Sequence, residues 1–118
     1  MKKANRVCTH EEFTRIIHER RAVRGKYVTL YTSPKAKPET RIGISVGKRN
    51  GKAVIRVKIK RQIRAICEEA NLINRLSADL IIAVKPEYET KDFVLLKEDL
   101  LRCVAAIGEQ NIENQQEI

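Results

Sequence analysis

The stretch RIGISVGKRNGKAVIRVKIKRQIR, Arg41 to Arg64, changes its hydrophobic period halfway along. In RIGISVG the apolar Ile42, Ile44 and Val46 alternate with Arg41, Gly43, Ser45 and Gly47, the two-residue repeat of a strand with one apolar face. GKRNGK then makes a basic turn, and from Ala53 the run AVIRVKIKRQIRAICEEA takes up a helical repeat. On a wheel of about 100° per residue with Arg56 at 0°, Ile55, Ile59, Ile63, Ile66, Cys67 and Ala70 fall between about −100° and about +20°. Arg56, Lys60, Arg64, Arg61 and Lys58 sweep from there round to about 200°. A one-faced strand followed by a one-faced helix calls for a sheet with helices packed on it.

Toward the N-terminus, KYVTLYT (Lys26 to Thr32) alternates Val28 and Leu30 with Tyr27, Thr29 and Tyr31, and a Pro-bearing turn from Ser33 to Thr40 joins it to the strand above. Arg20 to Lys26 is a basic connection with a short strand around Ala22 to Arg24. Before it, Thr9 and Glu12 have capping-box spacing and Phe13, Ile16 and Ile17 recur at helical intervals, which predicts a helix from about Thr9 to Glu19. Toward the C-terminus, a polar segment, Asn71 to Ala78, leads to the buried strand DLIIAVK (Asp79 to Lys85), stopped by Pro86. A last helix starts at Thr90 and Asp92 and carries Phe93, Leu96, Leu100, Val104 and Ile107 on one side. The expectation is an α+β single-domain sandwich over residues 1–107, with GEQNIENQQEI (108–118) as a disordered tail.

Composition agrees with one folded domain: 118 residues, 42% hydrophobic and 33% charged, with five Gly and three Pro. No apolar run approaches the length of about 20 residues that spans a membrane, so a soluble, cytoplasmic protein is expected. Cys8, Cys67 and Cys103 are odd in number and widely spaced, which argues against a disulfide framework and against a zinc site. The formal charge of +9 is unevenly distributed. Residues 1–64 hold 19 Lys+Arg and 4 Asp+Glu, a balance of +15, whereas residues 65–118 hold 5 and 11, a balance of −6. The excess points to a polyanion bound by the first half.

A merely solvated helix face mixes signs, but the face that runs from Arg56 to Arg64 has no acidic residue before Glu68 and repels itself unless an anion neutralises it. Tyr27 and Tyr31, four apart on one strand, make a stacking platform beside the small Gly43, Ser45 and Gly47 of the neighbouring strand, and Phe13 can wall the same groove. Aromatics among cations suit single-stranded nucleic acid. Enzyme signals are weak. His10 and His18 lack a partner carboxylate pattern, no carboxylate cluster suggests a metal centre, and GKRNGKA falls one residue short of a P-loop and has Ala53 where Ser or Thr is needed. Val57 stands alone as an apolar residue within the basic arc.

The run from Ser45 to Arg64 resembles the signature of the protein subunit of bacterial ribonuclease P, on Ser45, Val46, Lys48, Gly51, Ala53, Val54, Arg56, Lys58, Ile59, Lys60, Arg61 and Arg64. The likeness extends over about residues 3 to 107, through Arg6, the E-x-F at Phe13, the V-x-L-Y-T strand and DLIIAVKP. It implies the order αβββαβα with a left-handed βαβ crossover, and a partner that is itself the catalyst: an RNA whose bound magnesium activates the water that removes the 5′ leader of precursor tRNA. The protein then binds the leader in a groove between sheet and first helix and contacts the catalytic RNA through its central helix. By this resemblance Phe13 and Tyr31 belong to the leader groove with Ser45 and Lys48 near it, and Arg56, Lys58, Lys60, Arg61 and Arg64 to the RNA-contacting run. Arg41 is assigned to the groove, and Lys48, Arg49 and Lys52 to the RNA-contacting set; Tyr27 rests on its strand position alone. No catalytic or metal-binding protein residue is expected, nor a protein partner or a membrane.

Two positions depart from the pattern. Val57 replaces the family Asn, and Lys52 stands where Asn often follows the turn glycine. Asn offers a donor and an acceptor and Val neither, so the sequence predicts that Val57 weakens docking or magnesium-dependent turnover. The alternatives are a non-catalytic RNA-binding or ribosome-associated protein and a stand-alone nuclease using His10 or His18.

Overall fold

The computed structural model describes residues 10–18, 21–34, 41–72 and 78–116. Helix α1 spans His10–His18, strands β1, β2 and β3 span Arg21–Arg24, Val28–Pro34 and Ile42–Val46, helix α2 spans Ala53–Glu69, strand β4 spans Ala78–Val84, and helix α3 spans Phe93–Gln116. One-turn 3₁₀ segments, Lys48–Asn50 and Thr90–Asp92, precede α2 and α3. The predicted order of elements holds. Thr9, the turn residues 35–40 and the ends 1–8 and 117–118 lie outside the described residues.

The sheet is mixed, with strand order β1-β2-β4-β3. β4 pairs antiparallel with β2 and parallel with β3, so β3, α2 and β4 form a crossover unit. Its central position explains the run LIIAV. Leu80 and Ile82 are buried on one face and Ile81 on the other, so this strand cannot show the polar alternation of an edge. On the first face Val28, Leu30, Ile42, Leu80 and Ile82 meet Ile59, Ile63 and Ile66 of α2 and Leu96, Leu100 and Val104 of α3 in one core. Each fully buried aliphatic side chain there contributes about 1.5–3 kcal/mol. On the other face α1 sits on a separate cluster of Ile16, Ile81 and Tyr31.

The basic turn needs Gly51. Its φ of 128° is unsuited to other residues, and a Cβ there would come within 3.3 Å of Ile55. Asn71, at φ 53°, takes the left-handed conformation just after α2, and its N–H donates to the Glu68 carbonyl at 3.1 Å. At the far end of the chain, α3 continues to Gln116, which corrects the expected disordered tail over 108–118 as far as that residue. Gly108 costs a helix only about 1 kcal/mol, the Glu and Gln residues that follow are good helix formers, and lengthening an existing helix needs no new nucleus.

The connection from β1 to β2 turns around a side chain from α3. Asp99, 3% exposed, accepts the backbone N–H groups of Lys26, Tyr27 and Val28 at 3.0, 2.8 and 3.3 Å and pairs with Arg102. Gly25 is packed so closely that a Cβ would stand 2.5 Å from the Asp99 carboxylate. Burial works to raise the Asp99 pKa, but the N–H groups of Tyr27 and Lys26 and the Arg102 guanidinium outweigh it and hold the carboxyl below its ordinary value.

Candidate nucleic-acid interface

Strand register arranges the α1 side of the sheet in rows. Ala22, Tyr31, Ile81 and Gly43 form one row across the four strands, and Arg24, Thr29, Ala83 and Ser45 form the next. α1 covers the first row through Ile16, leaving Tyr31 half-buried at its margin. The second row is small and polar; Ser45 and Ala83 are partly exposed and Arg24, on the edge strand, is exposed. An extended strand of nucleotides fits such a shelf: an aromatic at one side, a cation at the edge, and little side-chain bulk between. Arg24, Thr29 and Ala83 were missed by the sequence reading, since only the β1-β2-β4-β3 order puts them beside Ser45.

Two predicted groove residues are corrected. Tyr27 is 8% exposed and belongs to the main core, its ring edge-on to Tyr88 with centroids 5.8 Å apart. It precedes β2, and the turn of backbone that wraps Asp99 takes it out of the strand alternation, so it does not share a face with Tyr31. Arg41 is 4% exposed and bound to the fully buried Asp79, Nη2 to Oδ2 at 2.8 Å and Nε to Oδ1 at 3.3 Å. Arg15 of α1 approaches the same carboxylate at 3.5 Å. This cluster ties the first helix to the sheet, so Arg41 fixes one wall of the groove and offers no open phosphate contact. Phe13 lies on α1, and its side chain, like those of His10 and His18, is outside the described residues.

The cations of the turn and of α2 stand as predicted on the surface or at its margin. Lys48, Arg49 and Lys52 are exposed around the 3₁₀ turn, which Asn50 pins to the residue after β4 by donating to the Lys85 carbonyl at 2.8 Å. Lys58 and Arg61 are exposed, while Arg56, Lys60 and Arg64 are partly buried. None of these cations has an acidic partner among the described residues. The Nε atoms of Arg56 and Arg64 are buried without a hydrogen-bond partner there. The start of α2 also lacks a side-chain cap and any acidic residue in its first turn, leaving its N–H groups and dipole open to an anion.

The continuous arc of the wheel is divided in the folded protein. Arg56, Lys60 and Arg64, spaced four apart, lie along one flank of the buried stripe formed by Ile59, Ile63 and Ile66. Lys58 and Arg61 lie on the other side, where Val57, at 52% exposure, joins Val54 and Phe93 in lining an open groove. Val57 is therefore part of an apolar surface rather than an isolated gap in a basic one.

Other reactive groups have structural work. Burial pushes the Cys67 thiol up to about 11 and raises that of Cys103, so both stay protonated at neutral pH and are poor nucleophiles or metal ligands. Burial, with the Asp92 charge, raises the Tyr88 phenol to about 12, and its hydroxyl donates to Gln62 Oε1 at 2.8 Å. Among the described residues, no group of three or more His, Cys, Asp or Glu could hold a metal ion, and no helix is long and apolar enough to cross a membrane.

Comparison with known proteins identifies a family for this chain. A family model described as Ribonuclease P matches residues 1–108. The ribonuclease P protein component of Streptococcus mutans is 34% identical over 104 residues, covering 88% of this chain and 87% of that protein. The component of Thermus thermophilus is 40% identical over 88 residues, or 75% of this chain, and the match spans about half, 51%, of that relative's length. The solved structure of Staphylococcus aureus RNase P protein matches with a TM-score of 0.73 at 26% identity, covering 89% of this chain and 96% of that one. The RNase P protein from Thermotoga maritima gives 0.73 at 25% identity, covering 84% and 94%.

Proposed function

This chain belongs to the bacterial ribonuclease P protein family, and from that premise we propose that it is the protein subunit of ribonuclease P, binding the catalytic RNA and the 5′ leader of precursor tRNA and assisting endonucleolytic removal of that leader. The observation that carries the proposal is the pairing, in one small domain, of a sheet face suited to single-stranded RNA with a helix whose cations lack acidic partners among the described residues.

The two surfaces divide the work by chemistry. On the shelf, Tyr31 stacks on a leader base while Ser45 and Ala83 leave space for the chain and Arg24 meets a phosphate; stacking tolerates any base. On α2 and the turn before it, Arg56, Lys60 and Arg64, with Lys48, Arg49 and Lys52, neutralise phosphates of the catalytic RNA, fixing its position without reading its sequence. Magnesium held by the RNA would supply the activated water; the protein supplies charge and alignment. The holoenzyme works in the cytoplasm.

The test is cleavage of precursor tRNA by the protein alone, by the catalytic RNA alone at low magnesium, and by both together. Cleavage only in the combined reaction is expected. Cleavage by the protein alone would indicate a stand-alone nuclease, and no stimulation of the RNA would indicate an RNA-binding or ribosome-associated role.

A further inference from the structure

A groove of about 710 Å³ runs along α2 to the start of α3, within the range of about 300–1,000 Å³ typical of ligand sites. Ala53, Val54, Val57 and Ala65 line it from α2, and Phe93 closes it from α3. Val54 is 81% exposed and Val57 52%, an unusual state for two branched aliphatics one turn apart on a helix that buries four other side chains. Lys58 and Arg61 line the same groove, with no acidic partner among the described residues. Gln62 is engaged at both ends of its amide, donating to the Thr90 carbonyl at 3.1 Å and accepting from Tyr88.

We propose that this groove takes an unpaired nucleobase of the catalytic RNA, stacked among Val54, Val57 and Phe93 with its flanking phosphates on Lys58 and Arg61. The proposal rests on the function above and adds to it an apolar contact beside the phosphate contacts. A duplex backbone would satisfy the two cations but would press phosphates against Val54 and Val57, which offer no hydrogen bond. An extruded base presents the reverse pattern, an apolar ring with charge at its ends, and matches both the lining and the cations. With Gln62 engaged, the groove offers little to read base edges, so it accepts more than one base. Val57 then strengthens docking, opposite in sign to the effect predicted from its departure from the family Asn.

The experiment measures equilibrium binding of the full chain to the catalytic RNA transcribed from the same genome, across a salt series, together with base-specific chemical probing of the RNA. The wild-type protein is expected to protect one or two unpaired bases. Val57→Asn and Val54→Gln, at exposed positions that leave the thermal melt in place, are expected to raise Kd about five- to tenfold, to release those bases and to leave the salt slope unchanged. Arg64→Ala is the control for phosphate docking and should lower the slope by about one unit. If both valine variants bind like wild type while Arg64→Ala still changes the slope, the base site is wrong and the docking helix stands. If the wild-type protein fails to bind this RNA above non-specific levels, the underlying function is wrong and the base site with it. If Val57→Asn instead dissolves a dimer seen by sedimentation and leaves RNA affinity unchanged, the groove joins two copies of the protein and the proposal is overturned.

Discussion

On the side of the sheet that faces α2 and α3, Val28, Leu30, Ile42, Leu80 and Ile82 are at most 1% exposed and pack against two helices. On the side that faces α1, complete burial among the described aliphatics is limited to Ile16 and Ile81, and the next row is Arg24, Thr29, Ala83 and Ser45. The same strands thus carry stability on one face and a partly open surface on the other. A sheet finished with helices on both sides would be more stable and would have no open shelf. The first helix is held in part by charge, through Arg15, Arg41 and Asp79, which lets a short element cover only part of its face.

The sharpest way to break this contrast uses two adjacent residues of β4. Ile82→Ala should cost about 4–5 kcal/mol in urea unfolding, and Ile81→Ala about 2–3 kcal/mol, because the thinner α1 side can settle into the space left behind. Equal costs would mean that the two faces are equally well packed. Asp99→Ala comes next, at about 2–3 kcal/mol, since it strands the N–H groups of Lys26, Tyr27 and Val28. The pKa of Asp99 is lower in the folded protein than in the unfolded chain. Its ionised form therefore adds stability above about pH 4, and that contribution disappears as pH falls below this value through the folded pKa. The variant should lose this part of the acid dependence, read from unfolding curves between about pH 2 and pH 6.

Smaller effects separate the tyrosines and the cations. Tyr31→Ala should weaken leader binding by about 1–2 kcal/mol with an unchanged salt slope, whereas Tyr27→Phe should leave leader affinity as it is, because that ring lies in the core. A matching loss in Tyr27→Phe would put both rings back on one surface. For the catalytic RNA, neutralising about five to seven phosphates gives a slope of log K against log salt on the order of −4 to −6. Lys60→Ala should reduce it by about one unit, the smallest effect of the series.

What sequence revealed and what it hid follow from the range of the interactions. Periods of two and 3.6 residues located the strands and helices, and the change of period between Val46 and Ala53 marked the turn that carries Lys48, Arg49 and Lys52. The misplaced residues depend on partners far along the chain. Tyr27 is turned inward by a carboxylate 72 residues away, and Arg41 is drawn under α1 by one 38 residues away. The place of Val57 depends on Phe93, which a wheel of α2 alone cannot contain. The length of α3 was hidden for a different reason. Residues 109–116 combine polar composition, which favours disorder, with Glu and Gln, which propagate readily from a packed helix.

β2 and β3 are consecutive in the chain, yet each meets β4 and they share no ladder with one another. While translation has delivered only residues 1–77, the strands that frame the shelf have no common neighbour. The β1–β2 pair is a two-stranded hairpin, marginal in water by itself. The nascent chain thus carries the +15 balance of residues 1–64 before it has a surface on which to display it, since the sheet needs residues 78–84 to join β2 to β3. On the function proposed above, the RNA-binding shelf needs β4 from the acidic half, so a charge-driven grip by the earlier residues alone lacks the geometry of the finished one.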